Sequence, residues 1–200
     1  MSIKNHQLAA ISNGNKNQLR KNAFLKRIKL NNEIVDLRSQ KITEQLFQNF
    51  NFDHQKTHLF YPIDDNKEVD TWKIHNRLKN KKSLFTSVYC NNLKKWECVS
   101  FSPLTSFKKG IYKIPFPENN QKDHYKKIDI IIIPLLIFDI RGNRIGYGKG
   151  IYDKILFSLN KNCIKIGVSL LECSDQLIDF QKHDIPLDYC QTSTVLHRFE

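Results

Sequence analysis

The sequence predicts an α/β fold, a single three-layer αβα domain around a mainly parallel central sheet. Strand-forming and helix-forming segments alternate along the 200 residues, a length that suits one domain. The run Ile128–Phe138 is apolar on both faces, as a central parallel strand must be. It leads into the glycine-rich, basic segment Gly142–Asp153, read as GNRIGYGKGIYD. A buried strand that runs through such a turn into a helix is typical of α/β proteins that hold phosphate.

Two helices are predicted in the first quarter of the chain. The first starts at Lys16, with an apolar face formed by Leu19, Ala23, Leu25 and Ile28. The second covers Asn32–Phe50, with an apolar stripe of Ile34, Leu37, Ile42, Leu46 and Phe50. Residues Met1–Asn13 are expected to form a flexible leader, so the predicted domain comprises residues 14–200.

The rest of the chain alternates between the two element types. Strands are predicted at His58–Tyr61, Ser83–Tyr89, Trp96–Phe101, Ile128–Phe138, Lys165–Leu170 and Gln191–His197. Helices are predicted at Glu68–Asn80 and Gly150–Leu159. The segment Ser102–Tyr125 carries Pro103, Pro115 and Pro117 and has little periodicity, so we expect an ordered loop there.

The start of the chain, its apolar runs and its cysteines indicate in which cellular compartment the protein is expected. The start of the chain lacks the apolar region of a secretory signal, and no apolar run is long enough to cross a bilayer. The five cysteines form no CxxC pair, which indicates free thiols rather than a zinc site or a disulfide framework. We therefore expect a soluble, cytoplasmic monomer that has no membrane partner.

The formal net charge of +12 has two interpretations. It could serve a polyanionic partner such as nucleic acid or a polyphosphate. It could instead reflect the abundance of Lys, Asn and Ile that AT-rich coding sequence favours. The lysines are spread along the chain rather than gathered in one tract, which favours the second interpretation. No specific nucleic-acid partner is therefore expected.

The glycine-rich segment has the features of a phosphate cradle. Gly146, Gly148 and Gly150 alternate, which lets the backbone approach a ligand and turn its N–H groups toward an anion. Arg144 and Lys149 add positive charge. The segment is neither a Walker A motif nor a clean GxGxxG fingerprint. A tight turn that merely needs small residues is the alternative.

Several charged side chains are candidates for binding. Asp153 and Asp184, with Asp139 as a third candidate, could hold Mg²⁺ against phosphates, although a single Asp more often caps a helix or lies at the surface. His183 could be a base or a ligand, although a lone histidine is usually structural. Lys16 and Arg20 share one helix face, which could reach an anionic ligand or be solvated.

Together these segments resemble the 5-formyltetrahydrofolate cyclo-ligase family. The family's loop corresponds here to Pro134, Phe138–Asp139, Gly142–Arg144 and Gly146–Asp153. Three further segments match in order: KNQLRK (Lys16–Lys21) with Arg27, KEVDT (Lys67–Thr71) after LFYP, and HDIPLD (His183–Asp188). The resemblance extends from about Lys16 to Val195, nearly the whole chain.

The resemblance implies an ATP-dependent ligase that acts on a reduced folate. In that reaction ATP phosphorylates the formyl oxygen of 5-formyltetrahydrofolate, the neighbouring folate nitrogen attacks the activated carbon, and phosphate leaves. The products are 5,10-methenyltetrahydrofolate, ADP and phosphate, and Mg²⁺ is the implied cofactor. A nucleic-acid-binding module on the same fold, without ligase activity, is the alternative. A different phosphotransferase is a third interpretation.

The resemblance also implies roles for individual residues. Arg144, Lys149 and Tyr152 would be catalytic, and Asp153 and Asp184 would hold the metal. The ATP-binding residues would be Lys16, Asn17, Gln18, Leu19, Arg20, Arg144, Ile145, Gly146, Tyr147, Gly148, Lys149, Gly150, Ile151 and Tyr152. The folate-binding residues would be Ile63, Glu68, Tyr147, Gly148, Lys149, Gly150 and Ile151.

Several positions depart from the family pattern, and the Met expected near WECVSF is absent. Ile151 stands where an aromatic residue is usual, and Gln181 stands where an acid often precedes the HD pair. The segment FPEN (Phe116–Asn119) displaces the acid of a family Glu-Pro. These departures bear on folate affinity and on the preference for the glutamate tail more than on the reaction.

Overall fold

A computed structural model of the chain describes residues 13–181 and 184–199. Its helices are α1 (Lys16–Ile28), α2 (Asn32–Asn49), α3 (Trp72–Arg77) and α4 (Ile151–Phe157). Its strands are β1 (Asn13–Gly14), β2 (Thr57–His58), β3 (Leu84–Cys90), β4 (Lys95–Phe101), β5 (Phe107–Lys109), β6 (Pro115–Pro117), β7 (Gln121–Lys122), β8 (Ile130–Pro134), β9 (Ile137–Phe138), β10 (Arg144–Ile145), β11 (Ile164–Val168), β12 (Leu177–Ile178), β13 (Tyr189–Gln191) and β14 (Leu196–Arg198). Single 3₁₀ turns lie at Asp64–Asn66, Ile111–Lys113 and Tyr125–Lys127.

One eight-stranded sheet organises the molecule, in the order β14-β13-β11-β8-β2-β3-β4-β7. The central strands β13, β11, β8, β2 and β3 pair in parallel. The antiparallel pairs lie at the two ends of the sheet, where β14 joins β13 and β4 joins β3 and β7. The predicted α/β class with a mainly parallel sheet is confirmed.

Alternate residues of β8 pack into the hydrophobic cores on the two faces of the sheet. Ile130 and Ile132 pack into the cluster that contains the buried face of α2 and α3. Ile131 and Ile133 pack into the cluster that contains Ile155 and other residues of α4. Because successive side chains of a strand point to opposite faces, one continuous apolar strand supports helices on both sides of the sheet.

The apolar periodicity of the first two helices identified only part of their buried faces. Leu25 and Ile28 of α1 and Ile34 and Leu37 of α2 are exposed. Polar side chains are buried in their place: Arg27, Ser39 and Thr43. They are buried because they have partners, as when Ser39 accepts a hydrogen bond from the backbone N–H of Asp70 at 3.0 Å.

The helix predicted over Glu68–Asn80 is longer than the helix in the structure. The observed helix, α3, starts only at Trp72. The residues before it are tied to the chain that follows β2. Thr71 Oγ1 donates to the carbonyl of Phe60 at 2.5 Å, and the Glu68 carboxylate accepts from the N–H of Ile63 at 2.7 Å. These two contacts tie the segment to the chain that follows β2.

Two predicted strands are divided. The run Ile128–Phe138 leaves the sheet ladder at Pro134, and its last residues form β9, which pairs with β10 in an antiparallel hairpin. The predicted strand Gln191–His197 is divided between the end of β13 and the start of β14 by a hairpin turn, which Thr192 N–H closes by donating to Val195 O at 3.0 Å. The predicted loop Ser102–Tyr125 contains the β5–β6 hairpin and β7.

Most of the predicted leader Met1–Asn13 lies outside the described residues. Asn13 itself is in β1, which runs parallel to β12. Within residues 13–181 and 184–199, no helix is both long and apolar enough to cross a membrane.

Candidate active site

A cavity of about 190 Å³ lies at the carboxyl ends of parallel strands β2 and β8, where open α/β sheets bind ligands. Its walls come from α1, from the chain after β2 and from the glycine-rich segment. It is lined by most of the residues that the resemblance nominated: Lys16, Arg20, Ile63, Glu68, Arg144, Ile145, Gly146, Tyr147, Gly148, Lys149, Gly150, Ile151, Tyr152, Asp153 and Asp184.

The backbone of the loop requires glycine at more than one position, for different structural reasons. Gly148 has φ +83° and Gly150 has φ +63°, backbone conformations that other residues rarely adopt. A Cβ on Gly148 would lie 3.2 Å from Cζ of Arg20. Arg20 in turn donates from Nε to the carbonyl of Gly146 at 3.0 Å. The arginine of α1 therefore lies directly against the loop and fixes its conformation.

Asp139 organises the turn that leads into this loop. The side chain is fully buried, and its carboxylate accepts hydrogen bonds from the N–H groups of Arg141 at 2.9 Å, Asn143 at 3.0 Å and Ile178 at 2.8 Å. The side-chain amide of Asn143 donates to it as well, at 3.1 Å. Asp139 does not line the cavity, so its candidacy as a third metal ligand is wrong: its carboxylate is used by the turn.

Arg144 joins the loop to two other parts of the site. Its side chain is only 7% exposed, and Nη2 lies 2.6 Å from Oδ1 of Asp153. Nη1 donates to the carbonyl of Ile185 at 2.5 Å. Burial lowers the pKa of Arg144, while Asp153 and Asp184 act in the opposite direction. Both predicted metal ligands, Asp153 and Asp184, thus stabilise the charged form of the guanidinium group.

A second ion pair joins α1 to the C-terminal part of the chain. Lys16 Nζ lies 2.6 Å from Oδ2 of Asp184. The same carboxylate oxygen accepts from the N–H of Gln181 at 2.8 Å. His183 lies outside the described residues.

The two carboxylates suit Mg²⁺. Asp153 and Asp184 line the same cavity, and carboxylate oxygens are the ligands that Mg²⁺ prefers. In the part of the chain that the structure describes, no group of three His, Cys, Asp or Glu side chains could hold a metal. Two carboxylates without a full protein cage are what Mg²⁺ needs when phosphate oxygens and water complete its shell.

A buried chain of hydrogen bonds holds Glu68. Its Oε1 accepts from the hydroxyl of Tyr147 at 2.8 Å and its Oε2 from the N–H of Ile63 at 2.7 Å. Arg27, itself buried, donates to the same tyrosine oxygen and to the carbonyl of Leu135. Burial raises the pKa of Glu68, and the hydrogen bonds and the Arg27 charge oppose that rise.

Lys149 in the loop and Tyr152 in α4 also line the cavity. Tyr152 packs against the core clusters on both faces of the sheet, and burial raises its pKa well above the ordinary value. Its hydroxyl therefore stays protonated and can donate. Lys149 is exposed, and its Nζ lies 5.7 Å from the centroid of the Tyr112 ring, within cation–π range.

Three nominated residues of α1 lie off the cavity lining. Asn17 and Gln18 are exposed, and Leu19 is buried against Ile145 and Ile178. Asn17 accepts a hydrogen bond from Nη1 of Arg20 at 2.7 Å. Asn17 and Leu19 thus have positioning contacts, because one holds the arginine and the other packs the helix on the loop.

Sequence reasoning missed part of the lining, namely Phe60, Tyr61, Thr86, Ser87, Trp96, Ile114, Pro134 and Ile155. A signal existed for three of them, since Phe60 and Tyr61 follow β2 and Pro134 ends β8. Ligands bind beyond the carboxyl ends of parallel strands, so these positions could have been nominated. Trp96 and Ile114 come from distant antiparallel segments and carried no such signal.

The fold and the cavity define an α/β protein in which a cationic glycine-rich loop and the N-terminal helix enclose a ligand site. The family model for the 5-formyltetrahydrofolate cyclo-ligase family matches residues 12–193. The chain therefore belongs to the 5-formyltetrahydrofolate cyclo-ligase family.

Individual proteins that are similar to this chain carry the names of the same family. The structure is similar to 5,10-methenyltetrahydrofolate synthetase from Aquifex aeolicus, with a TM-score of 0.75, 27% identity, and coverage of 92% of this chain and 93% of that one. The sequence is 42% identical over 52 residues to the 5-formyltetrahydrofolate cyclo-ligase of Mycoplasma genitalium, covering 26% of this chain and 32% of the relative. It is 31% identical over 90 residues to the same enzyme of Haemophilus influenzae, covering 44% and 48%. The matched stretches thus span a third to a half of these two relatives.

Proposed function

We propose that the protein is an ATP- and Mg²⁺-dependent ligase that converts 5-formyltetrahydrofolate to 5,10-methenyltetrahydrofolate, with release of ADP and phosphate. One observation carries the proposal. Lys16, Arg20, Arg144 and Lys149 line the same cavity as the buried carboxylate of Glu68. A site for phosphates and a site for a hydrogen-bond-donating ring are therefore adjacent.

The cationic side of the cavity suits a triphosphate. Lys16 and Arg20 reach it from α1, and Arg144 and Lys149 reach it from the loop. Phosphoryl transfer depends chiefly on positioning the γ-phosphate and on neutralising its charge, which fixed cations and turned backbone N–H groups accomplish. Bound Mg²⁺ would add further neutralisation of the phosphate oxygens, held by Asp153 and Asp184.

The other side suits a pterin. Glu68 is 6% exposed, and its two oxygens are held in place by Tyr147 and Ile63. Each carboxylate oxygen has a further lone pair, so the group can still accept from the amine and ring N–H of an aminopyrimidine edge. Phe60 and Tyr61 add aromatic surface to the same wall.

The chemistry proceeds through a phosphorylated formyl group. The formyl oxygen attacks the γ-phosphorus and ADP departs. The neighbouring folate nitrogen then attacks the formyl carbon and loses its proton, and the C–O bond breaks to release phosphate. Tyr152, protonated and at the cavity wall, orients the formyl group by donating a hydrogen bond. Arg144 and Lys149 counter the charge that develops on the transferred phosphoryl group.

A spectroscopic assay tests this function. Methenyltetrahydrofolate absorbs in the near ultraviolet where the formyl substrate does not, and we expect its absorbance to appear only when ATP and Mg²⁺ are both present. Matched reactions without ATP, or with a chelator, are the controls. Absence of product with protein shown to be folded by its far-ultraviolet circular dichroism would refute the proposal.

The rival nucleic-acid-binding module makes a different prediction. It requires tight RNA binding that survives moderate salt, because weak, salt-sensitive binding is expected of any strongly basic protein.

A monomeric state and a cytoplasmic location remain predictions, to be checked by light scattering and by fractionation of cells that express the protein.

A further inference from the structure

A polar network that the proposed reaction does not use lies behind the wall of the candidate active site. His58 in β2 places Nε2 2.8 Å from Oγ of Ser87 in β3, and the same Oγ lies 2.9 Å from the hydroxyl of Tyr125. His58 is fully buried, whereas Ser87 is 9% exposed. Of these three side chains only Ser87 lines the cavity, so it is the member of the network that can touch a ligand.

The histidine acts on Ser87 as a hydrogen-bond donor. Burial lowers the pKa of His58 to about 3, so its ring is neutral and one of its two nitrogens carries a hydrogen. Nδ1 has no hydrogen-bond partner among the described residues. A buried N–H without a partner is rarer in proteins than a buried acceptor without one. We therefore assign the hydrogen to Nε2, which donates it to Ser87.

The tyrosine donates to the same oxygen. Burial raises the pKa of Tyr125, so its hydroxyl keeps its hydrogen. The described residues offer that hydroxyl one hydrogen-bond partner, Ser87, which favours donation from the tyrosine to the serine. A serine oxygen has two lone pairs, and His58 and Tyr125 then occupy both. The hydrogen of Ser87 is left over, and the cavity is the place where it can be donated.

This donor lies in the same region of the cavity as Glu68. The carboxylate is tied by the N–H of Ile63, at 2.7 Å, to the chain that follows β2, and β2 runs parallel to β3, which carries Ser87. Burial raises the pKa of Tyr152, and Tyr125 and Glu68 raise it further. Tyr152 is thus within electrostatic reach of both the carboxylate and the hydroxyl that is bonded to Ser87.

We propose that Ser87 recognises the 4-oxo group of the substrate's pterin ring, and that His58 is a positioning residue that keeps Ser87 a donor. This inference rests on the proposed function, because it requires the aminopyrimidine edge to lie at Glu68. In a pterin, the 4-oxo group is next to the ring N–H that donates to such a carboxylate. A carboxylate acceptor with a hydroxyl donor beside it matches this N–H and C=O pair. A 4-amino group would instead turn a second donor toward Ser87.

The test compares two ligands, 5-formyltetrahydrofolate and its 4-amino-4-deoxy analogue, by titration calorimetry without ATP. Ser87→Ala removes the donor, so the ratio of the two dissociation constants should shift by about tenfold toward the amino analogue, relative to wild type. The contribution of Glu68 is common to both proteins and cancels in this comparison. Ser87→Thr keeps a hydroxyl and should restore most of the preference.

Thr86→Val is the matched control. Thr86 lines the same cavity, but its hydroxyl donates to the carbonyl of Leu59 at 2.8 Å, so its hydrogen is not free for a ligand. This variant should lose stability and keep the ratio of dissociation constants within about twofold of wild type.

A second variant tests the role of the histidine. His58→Leu retains Ser87 but frees one of its lone pairs, so the serine can accept from a 4-amino group and the preference for the 4-oxo ring should shrink. A loss of stability alone would not move this ratio. Ser87→Ala decides the question if His58→Leu does not fold.

Each outcome separates this inference from the proposed function. An equal ratio in wild type and Ser87→Ala overturns the inference, whether or not the substrate is turned over. A shift of the same size in Thr86→Val overturns it as well, because any disturbance of the wall would then have the same effect. If the ratio shifts as expected and no methenyl product forms with ATP and Mg²⁺, the recognition by Ser87 is supported and the ligase activity is refuted. If neither ligand binds to the folded protein, both proposals are refuted.

Discussion

The hydroxyl of Tyr147 donates to Oε1 of Glu68 at 2.8 Å, across a separation of 79 residues in the chain. The same tyrosine oxygen accepts from the guanidinium of Arg27. The tyrosine therefore links a buried cation to a buried anion and completes a path of hydrogen bonds from α1 to the wall of the cavity. Both charges are tolerated in the interior because each has a partner.

Replacement of this anion should separate folate binding from nucleotide binding. Glu68→Gln keeps the size of the side chain but removes the charge and one acceptor, so we expect the KM for the folate to rise by about tenfold or more. The KM for ATP should change little. Initial rates measured while each substrate is varied in turn, with thermal unfolding as the check on the fold, test this. Equal increases in both KM values would contradict the assignment of Glu68 to the folate.

Removal of a predicted metal ligand should change the response to magnesium. Asp153→Asn weakens a carboxylate ligand and the 2.6 Å pair with Arg144, so turnover should fall by ~10²-fold or more. The Mg²⁺ concentration that supports half-maximal rate should rise. The exposed Asp175→Asn is the control for loss of one carboxylate. An unchanged Mg²⁺ requirement in the Asp153 variant would show that this residue is not a ligand.

The loop lysine should matter for rate. Lys149→Ala removes a cation that the proposed function assigns to the phosphates, and we expect turnover to fall by ~10²-fold or more. Lys161→Ala, an exposed lysine just after α4, should have the wild-type rate and controls for charge loss. Near-wild-type turnover of both Lys149→Ala and Asp153→Asn would refute the assignment of the loop to phosphate.

Two neighbouring glycines should respond differently to the same substitution. Gly148→Ala places a Cβ at φ +83° and 3.2 Å from Arg20, so the free energy of unfolding should fall by about 1–2 kcal/mol. A methyl group on Gly146 would have no neighbouring atom within 4 Å, and the φ of Gly146 is not positive. Gly146→Ala should therefore change stability by less than about 0.5 kcal/mol. Urea unfolding of both variants tests this, and equal losses would contradict it.

A buried histidine should make the fold sensitive to acid. His58 is fully buried, with Nε2 2.8 Å from Oγ of Ser87, and burial lowers its pKa from 6.5 to about 3. Between these two values the unfolded chain binds a proton that the folded protein does not. The free energy of unfolding should therefore fall as the pH drops below 6.5, and this loss is complete near pH 3.

The comparison that isolates His58 uses urea unfolding at about pH 7 and about pH 4. His58→Gln should show a smaller difference between the two conditions than the wild type, whatever its stability at neutral pH. His124→Gln, which alters an exposed histidine, is the control. A pH response of His58→Gln equal to that of the wild type would rule out this histidine as a cause.

The sequence carried enough information for the sheet and for the glycine-rich loop. The apolar run around β8 is readable because burial on both faces leaves no polar positions. Spacing on α1 and α2 did not separate the core from the surface, since Leu25 and Leu37 are exposed while Ser39 is buried by a hydrogen bond to a distant backbone. The periodicity of apolar residues cannot predict that a polar side chain is buried when its hydrogen-bond partner lies far along the chain.

The same limit applied at the site. The cations of the loop were recognisable because they lie together in the sequence. Asp139 looked equivalent to Asp153 as a candidate ligand, yet only the structure shows that its oxygens are taken by backbone N–H groups. Arg27 belonged to the resemblance without a stated role, and its contact with Tyr147 depends on a fold that brings α1 to the loop.

The ion pair between Lys16 and Asp184 joins residues that are 168 positions apart. A nascent chain leaving the ribosome therefore exposes the basic face of α1 long before the carboxylate that balances it has been synthesised. The sheet strands β2, β3, β8 and β11 all precede that carboxylate, so most of the central sheet can form before Asp184 joins the lining of the candidate active site. The nucleotide site of the proposed function would then be completed late, after the scaffold, and contacts this distant are the ones that form slowly in folding.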